Sequence, residues 1–297
     1  MKENKIHIIG AGAVGFLFAK SLIKSGKLVS FVNRPLISRF SDSKTIFKTV
    51  PESTDISTLL ITTKAYDVIS AFKSISHKLS PESRVIILAN GLLGVHDEIR
   101  SITDRPIILA STSLGAIKTS PTSFLQTGYS GKSLFGTFDS NIQVPLFLKG
   151  LDDLNPEIFD YDQRDSFRNQ LILKIVVNSC INPTTAIKNK NFRFTNGMLL
   201  NKDDLELIKQ VCLECFNVFS SYGWIGSELS YKILEDAVID TIKATSDNIS
   251  SMSQDVINGK MTEIDFINGW IVKKGRKANV CTPICEHLWS QIRQIQQ

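Results

Sequence analysis

Lys5-Ile6-His7-Ile8-Ile9-Gly10-Ala11-Gly12-Ala13-Val14-Gly15 runs a short apolar strand straight into a G-x-G-x-x-G that opens a helix. The strand is Lys5 to Ile9, and the helix is Ala13 to Ser25, closed by Gly26. In that setting the first glycine permits a tight turn and the second lets the backbone approach a pyrophosphate. The third allows the helix to pack closely on the strand. The helix N-terminus adds unpaired N–H groups and the positive end of its dipole. Gly10, Ala11, Gly12, Ala13, Val14 and Gly15 are therefore candidate dinucleotide-binding residues; the plainer reading of the motif alone is a glycine-rich turn.

Outward from this motif, strand and helix signals alternate. A second strand covers Leu28 to Val32, a third Leu59 to Thr62, a fourth Arg84 to Leu88 and a fifth Pro106 to Ser111. Helical stretches at Tyr66 to Leu79 and Val95 to Ile102 separate them, which predicts a parallel sheet covered on both faces. The Ser/Thr/Gly-rich segment Thr119 to Gly136 predicts hairpins or loops. The second strand ends in Val32-Asn33-Arg34-Pro35, without the Asp or Glu that would bind a ribose 2′-hydroxyl. Arg34 is instead suited to a 2′-phosphate, so the expected cofactor is NADPH. Lys64 follows the third strand and Asn90-Gly91 the fourth, at the strand ends where open α/β sheets bind ligands. Each taken singly reads equally well as a solvated lysine or a turn.

The second half is helical. Candidate helices are Arg168 to Asn182, Lys202 to Tyr222, Tyr231 to Asn258, Glu263 to Lys277 and Thr282 to Gln297, with Pro183 interrupting the first. Gly223, Gly259 and Gly275 are candidate stops. The expected architecture is α/β: a Rossmann-type parallel-sheet domain over residues 1–164, then an all-helical domain over 165–297, with the active site in the cleft between them.

With 297 residues the chain has material for about two domains and a large core. Its net charge of +5 is spread without a basic run or arm, which argues against a nucleic-acid partner. The apolar stretch Ile6 to Ala19 behind Lys2 and Lys5 superficially resembles a leader, but it is too short to span a membrane and carries the three glycines. We read no targeting segment and no membrane association, hence a cytoplasmic protein. Cys180, Cys212, Cys215, Cys281 and Cys285 are odd in number, and the Cys212/Cys215 pair sits in a helical run without a second pair. Reduced, mostly buried thiols are expected. His7, His77, His96 and His287 form no metal-ligand spacing, so no metal site is expected. The sequence leaves a homodimer open.

Lys174, Asn178 and Asn182 are spaced i, i+4, i+8 on one helix face among apolar neighbours. Such a stripe is unfavourable in a core unless it lines a polar site; the alternative is a solvent-facing stripe.

These residues carry a resemblance. Lys174-Ile-Val-Val-Asn178-Ser-Cys-Ile-Asn182-Pro-Thr-Thr-Ala186 resembles the K-x-x-x-N-x-x-x-N-P-x-T-A stretch of the ketopantoate reductase family. Asn248-Ile-Ser-Ser-Met-Ser-Gln-Asp255 and Thr262-Glu263-Ile-Asp265-Phe-Ile-Asn268-Gly269 resemble its N-x-S-S-M-x-x-D and T-E-x-D-x-I-N-G segments. Thr63-Lys64, Asn90-Gly91 and Arg34 match as well, so the resemblance covers nearly the whole chain. One departure stands out. Asn196-Gly197-Met198-Leu199 lies where the family carries N-G-E-L, but after a longer gap filled by residues 188–193.

The resemblance implies reduction of the C2 ketone of 2-dehydropantoate to pantoate with NADPH, a step toward coenzyme A. It implies Lys174 as the general acid and Lys64 at the cofactor. Asn90 would serve cofactor and substrate, while Asn178, Asn182, Ser251 and Glu263 would orient the substrate. An ammonium that stabilises a developing oxyanion and supplies its proton is the chemistry such a reduction needs. Two rivals keep the same fold. One is a reductase of another 2-oxo acid or an imine, to be told apart at Asn178, Asn182, Ser251 and Glu263. The other is a non-catalytic NADP-binding regulator, which has no use for Lys174 and Glu263.

Overall fold

The computed structural model describes residues 5–32, 55–120, 123–127, 131–140, 144, 156–189, 193–226 and 228–297. The chain divides into two compact units, Met1–Phe167 and Arg168–Gln297.

The first unit carries β1 (Lys5–Ile9), α1 (Ala13–Lys24), β2 (Leu28–Phe31), β3 (Ile56–Ile61), α2 (Val68–Ile75), β4 (Leu79–Leu88), α3 (Leu92–Arg100), β5 (Ile107–Thr112), β6 (Gly115–Ser120), β7 (Ser123–Thr127), β8 (Ser133–Gly136) and β9 (Pro156–Phe159). Seven strands form one sheet in the order β2-β1-β3-β4-β5-β8-β9, and β6 and β7 form a separate hairpin. The central strands are apolar on both faces, as a doubly covered parallel sheet requires. Leu59, Leu60 and Ile61 of β3 and Val85, Ile86 and Ile87 of β4 are all almost fully buried. Helix α1 lays Phe16, Ala19 and Leu22 into this core, with Phe16 stacked on Phe124 at 3.9 Å. Two strands depart from the expected parallel arrangement: β8 runs antiparallel to β5, and β9, parallel to β8, runs the same way. The chain between β5 and β8 is the β6–β7 hairpin, and without a crossover helix it does not bring the next strand back parallel.

The second unit is helical throughout its described residues. Helix α4 (Arg164–Asn189) enters it, followed by α5 (Lys202–Ser221), α6 (Tyr231–Ala244), α7 (Ser251–Ile257), α8 (Asn268–Lys277) and α9 (Pro283–Ile295). Three boundaries differ from those read in the sequence. Pro183 does not end α4, which continues to Asn189. The single helix expected over 231–258 is two, because residues 245–250 are used otherwise. Ser246 and Asn248 give their carbonyls to the N–H groups of Gly197 and Asn196, and the Ser250 side chain caps α7 by accepting from the Ser253 N–H. Gly275 is no stop but a buried contact inside α8, where a Cβ would lie 2.8 Å from the Val280 carbonyl oxygen. Gly223 and Gly259 do end helices, at φ +66° and +61°, which a side chain would strain. Among the described residues no helix is long and apolar enough to cross a membrane.

Candidate functional site

In the first unit the glycine motif sits at the carboxyl end of β1, where the strand order turns, with β2 on one side of β1 and β3 on the other. That turning point is where open α/β sheets bind ligands. Gly10 has φ +110°, and a Cβ there would lie 2.5 Å from the Thr62 carbonyl carbon. A Cβ on Gly15 would lie 2.0 Å from the Gly10 carbonyl oxygen. These two glycines close the turn on the end of β3, and Thr62 locks it. The Thr62 N–H donates to the Ile9 carbonyl at 2.7 Å, and Oγ1 donates to the Gly10 carbonyl at 2.8 Å. Gly12 is different: it is exposed, precedes α1 as its N-cap, and a Cβ there would meet no atom within 4 Å. With no capping side chain and no acidic residue in the first turn, the N-terminus of α1 is suited to an anion. An exposed glycine beside two constrained ones is a cradle that fits a dinucleotide's phosphates.

Ala11, Ala13 and Val14 are half-buried along that turn. Lys64, half-buried, follows β3 in extended conformation and its carbonyl accepts the Asp67 N–H at 2.9 Å. Asn90, also half-buried, follows β4, and Gly91 at φ +60° turns the chain into α3. Both residues thus end strands on the edge that carries the glycine motif. Arg34 lies outside the described residues.

In the second unit α4 carries Lys174, Asn178 and Asn182. Lys174 and Asn178 are half-buried, whereas Asn182 is 7% exposed. Burial pushes the Lys174 ammonium down to about 8, and the Glu263 carboxylate partly opposes that shift. Glu263 is itself 5% exposed, just before a 3-10 turn at Ile264–Phe266. The Glu263 carboxylate thus acts electrostatically on Lys174 across 89 residues of sequence. Ser251 is exposed at the start of α7 and lies outside the buried polar groups.

The buried neighbour Ser250 makes the connection that spacing alone did not reveal. Its Oγ lies 2.7 Å from Thr185 Oγ1 and donates to Ser253 Oγ at 2.9 Å, while Ser253 Oγ donates to Thr185 Oγ1 at 3.1 Å. This ring of hydroxyls ties the N-terminus of α7 to α4 one turn past Asn182. A second Thr in Asn182-Pro-Thr-Thr and a third Ser in Ser250-Ser-Met-Ser were the available signals.

Asn196 is also anchored, its N–H donating to the Asn248 carbonyl and Nδ2 to Thr245 Oγ1, both at 2.9 Å. The longer gap before it is closed by Asn189. Its Nδ2 donates to the Phe194 carbonyl at 2.7 Å, and its Oδ1 accepts the Phe194 N–H at 2.8 Å. Cys180, Cys212, Cys215 and Cys285 are buried free thiols, Cys281 is exposed, and burial pushes the Cys180 thiol up. No group of His, Cys, Asp or Glu among the described residues is arranged to hold a metal ion.

A nucleotide cradle at the carboxyl end of β1, and a lysine on α4 acted on by the buried Glu263 carboxylate, fit a two-part protein of oxidoreductase type. Residues 6–140 match the family described as ketopantoate reductase PanE/ApbA, and residues 166–296 match its C-terminal part. The chain belongs to the ketopantoate reductase family. A 2-dehydropantoate 2-reductase of Vibrio cholerae serotype O1 is 30% identical over 299 residues, covering 98% of each chain. Among solved structures, D-mandelate dehydrogenase in a ternary structure with NADH and anilino(oxo)acetate superposes with a TM-score of 0.84 at 22% identity, covering 98% of each chain. A PanE/ApbA family ketopantoate reductase from Ralstonia eutropha JMP134 gives 0.82 at 21% identity over the same share. At these identities the two structural likenesses speak for the fold.

Proposed function

We propose that this chain reduces 2-dehydropantoate to pantoate with NADPH. The observation that carries the reading is Lys174 on α4, an ammonium pushed down to about 8 by burial and partly restored by the Glu263 carboxylate. A proton donor is most effective when its pKa lies near the working pH, and an unperturbed lysine at about 10.4 does not meet that condition. The cofactor would supply the hydride that converts the C2 ketone to an alcohol. Lys174 would stabilise the oxygen as it becomes negative and then deliver the proton to it. Asn178 and Asn182, on the same face of α4, would orient the oxo acid, and Glu263 would accept a hydrogen bond from its hydroxyl. Ser251 would reach the substrate from the first turn of α7.

Gly10 to Gly15 would hold the pyrophosphate, with Lys64 and Asn90 beside it. Arg34 would select the 2′-phosphate, and this is the basis for NADPH over NADH. On this reading the protein is a cytoplasmic biosynthetic enzyme of a small-molecule substrate.

Consumption of NADPH on addition of 2-dehydropantoate to the purified chain tests the proposal. Its absence, with NADPH still bound, would favour a regulator. A second reading is reduction of an aryl 2-oxo acid, supported by the likeness to D-mandelate dehydrogenase. Running phenylglyoxylate beside 2-dehydropantoate, each with NADPH and NADH, separates the two.

A further inference from the structure

Pro183 stands inside α4, six residues before its end. Proline has no N–H, and its ring crowds the carbonyl four residues back. That carbonyl belongs to Ser179, a residue with no exposed surface. In an uninterrupted helix the N–H of residue 183 would serve it. The donor comes instead from another helix: Nδ2 of Asn268, also without exposed surface, donates to the Ser179 carbonyl at 3.0 Å across 89 residues of sequence. The acceptor is a carbonyl, so the amide must present nitrogen to it. Its other atom, Oδ1, has no hydrogen-bond partner among the described residues. All the hydrogen bonding of this buried amide goes to the carbonyl that proline orphans.

The location gives the bond its meaning. Ser179 follows Asn178 and precedes Asn182, so the carbonyl in question belongs to the turn of α4 that carries both asparagines. Lys174 precedes Ser179 by five residues, and Glu263 precedes Asn268 by five. The two segments are therefore linked twice in the same sense, the Glu263 carboxylate acting electrostatically on Lys174 and Asn268 hydrogen-bonded to Ser179. Between Glu263 and Asn268 lies only the 3-10 turn and Ile267, whose φ −109°, ψ −98° leaves the helical region. A fixed Asn268 thus fixes where Glu263 stands.

We infer that Asn268 is a positioning residue. It replaces the hydrogen bond that Pro183 removes from α4, and in doing so sets the register between the Lys174–Asn182 face and Glu263. The inference rests on the proposed role of that face in oxo-acid reduction.

The test is a double-mutant cycle. Asn268→Leu removes the donor, Asn268→Asp removes it while keeping the shape, and Pro183→Ala returns a backbone N–H to the same carbonyl. Coupled neighbours lose the effect of one change when the other has been made. In the Pro183 background, Asn268→Leu should raise KM for 2-dehydropantoate roughly tenfold, the scale expected for one buried hydrogen bond. It should also move the alkaline limb of kcat/KM to lower pH, as Lys174 loses Glu263. NADPH binding followed by fluorescence should be unchanged. In the Pro183→Ala background most of the KM and pH effects should vanish. Equal losses in both backgrounds, or a KM increase without movement of the limb, would overturn the inference. If Asn268→Leu does not fold, the Asp variant carries the same cycle. If the wild-type protein reduces no 2-oxo acid, the function fails and the positioning role fails with it. Urea midpoints across the cycle would still show whether Asn268 and Pro183 are coupled.

Discussion

Replacing Glu263 by Gln separates two things its carboxylate can do. The amide keeps the shape and the ability to accept a hydrogen bond, but removes a negative charge that favours the Lys174 ammonium. Burial already holds that ammonium at about 8, with Glu263 opposing. Without the charge the group must fall further. A nearby opposite charge is worth about 1–3 pH units, so the alkaline limb should move from about 8 to roughly 5–7. At about pH 7.5 the protonated fraction of Lys174 would drop from roughly three-quarters to between roughly a quarter and about 0.3 per cent. Activity at neutral pH should therefore fall steeply, and much of it should return on acidification. The assay is kcat/KM for 2-dehydropantoate from about pH 5 to about pH 10 at constant ionic strength, where the free enzyme's acid appears as the alkaline limb. A limb that stays near 8 while kcat/KM drops by one factor at every pH would refute the electrostatic coupling. Glu263 would then act on the substrate alone.

Lys174→Ala should lower kcat by about 10²–10⁴ with NADPH still bound, and Lys174→Arg should remain nearly as impaired because a guanidinium does not give up its proton; substantial activity in the Arg variant would make Lys174 a purely electrostatic group. Arg34→Glu should weaken NADPH about tenfold to hundredfold while leaving NADH much less affected, the loss of a charge-assisted pair; titration of both cofactors decides, and equal losses would mean that Arg34 supports the fold. Gly15→Ala should abolish nucleotide binding and lower the thermal midpoint, since the new Cβ would sit 2.0 Å from the Gly10 carbonyl oxygen; normal NADPH affinity would show that the turn yields. His7, buried in β1 and pushed down to about 4 by that burial and by Lys5, stays neutral in the folded chain while the unfolded chain protonates below about 6.5. Stability from this group is complete above about 6.5 and is lost as pH falls toward about 4, up to about 3 kcal/mol. Urea midpoints at neutral and acid pH should show His7→Val with a shallower acid decline, and an unchanged decline would locate the acid sensitivity elsewhere.

What could be read in the sequence was whatever a local pattern dictates. The glycine motif predicts its own strand and helix because each glycine answers a steric demand made within a few residues, and Gly10 and Gly15 meet such demands at Thr62 and at each other. The five parallel strands were legible as apolar runs, since a doubly covered sheet leaves no polar face to confuse the pattern. The antiparallel β8 was not, because its direction follows from a missing crossover rather than from its own residues. The break at residues 245–250 escaped for a related reason: the carbonyls that would have continued α6 are taken by Asn196 and Gly197, nearly fifty residues earlier. In the candidate site, the residue types were legible and their company was not. Lys174 and Glu263 both stood out, but only the fold places them together.

The polar stripe on α4 shows where sequence reading stops and what decides the matter. Spacing of i, i+4, i+8 fits a solvent-facing stripe as well as a lined site. A solvent-facing stripe would leave its later members exposed, yet Asn182 is 7% exposed and Thr185, one turn on, has no exposed surface. Thr185 is instead bonded into the hydroxyl ring with Ser250 and Ser253. A proline in the middle of such a stripe reads locally as a terminator, because the rule considers only the chain's own N–H groups. The helix continues since the missing donor arrives from Asn268, and hydroxyls of Thr184 and Thr185 take the next carbonyls of Cys180 and Ile181 at 2.7 and 2.8 Å. Three successive carbonyls before the proline are thus served by side chains. A helix repaired in this way continues past its proline and holds its polar stripe in one fixed shape, which is what a lysine, two asparagines and a distant glutamate need if they are to meet one small substrate.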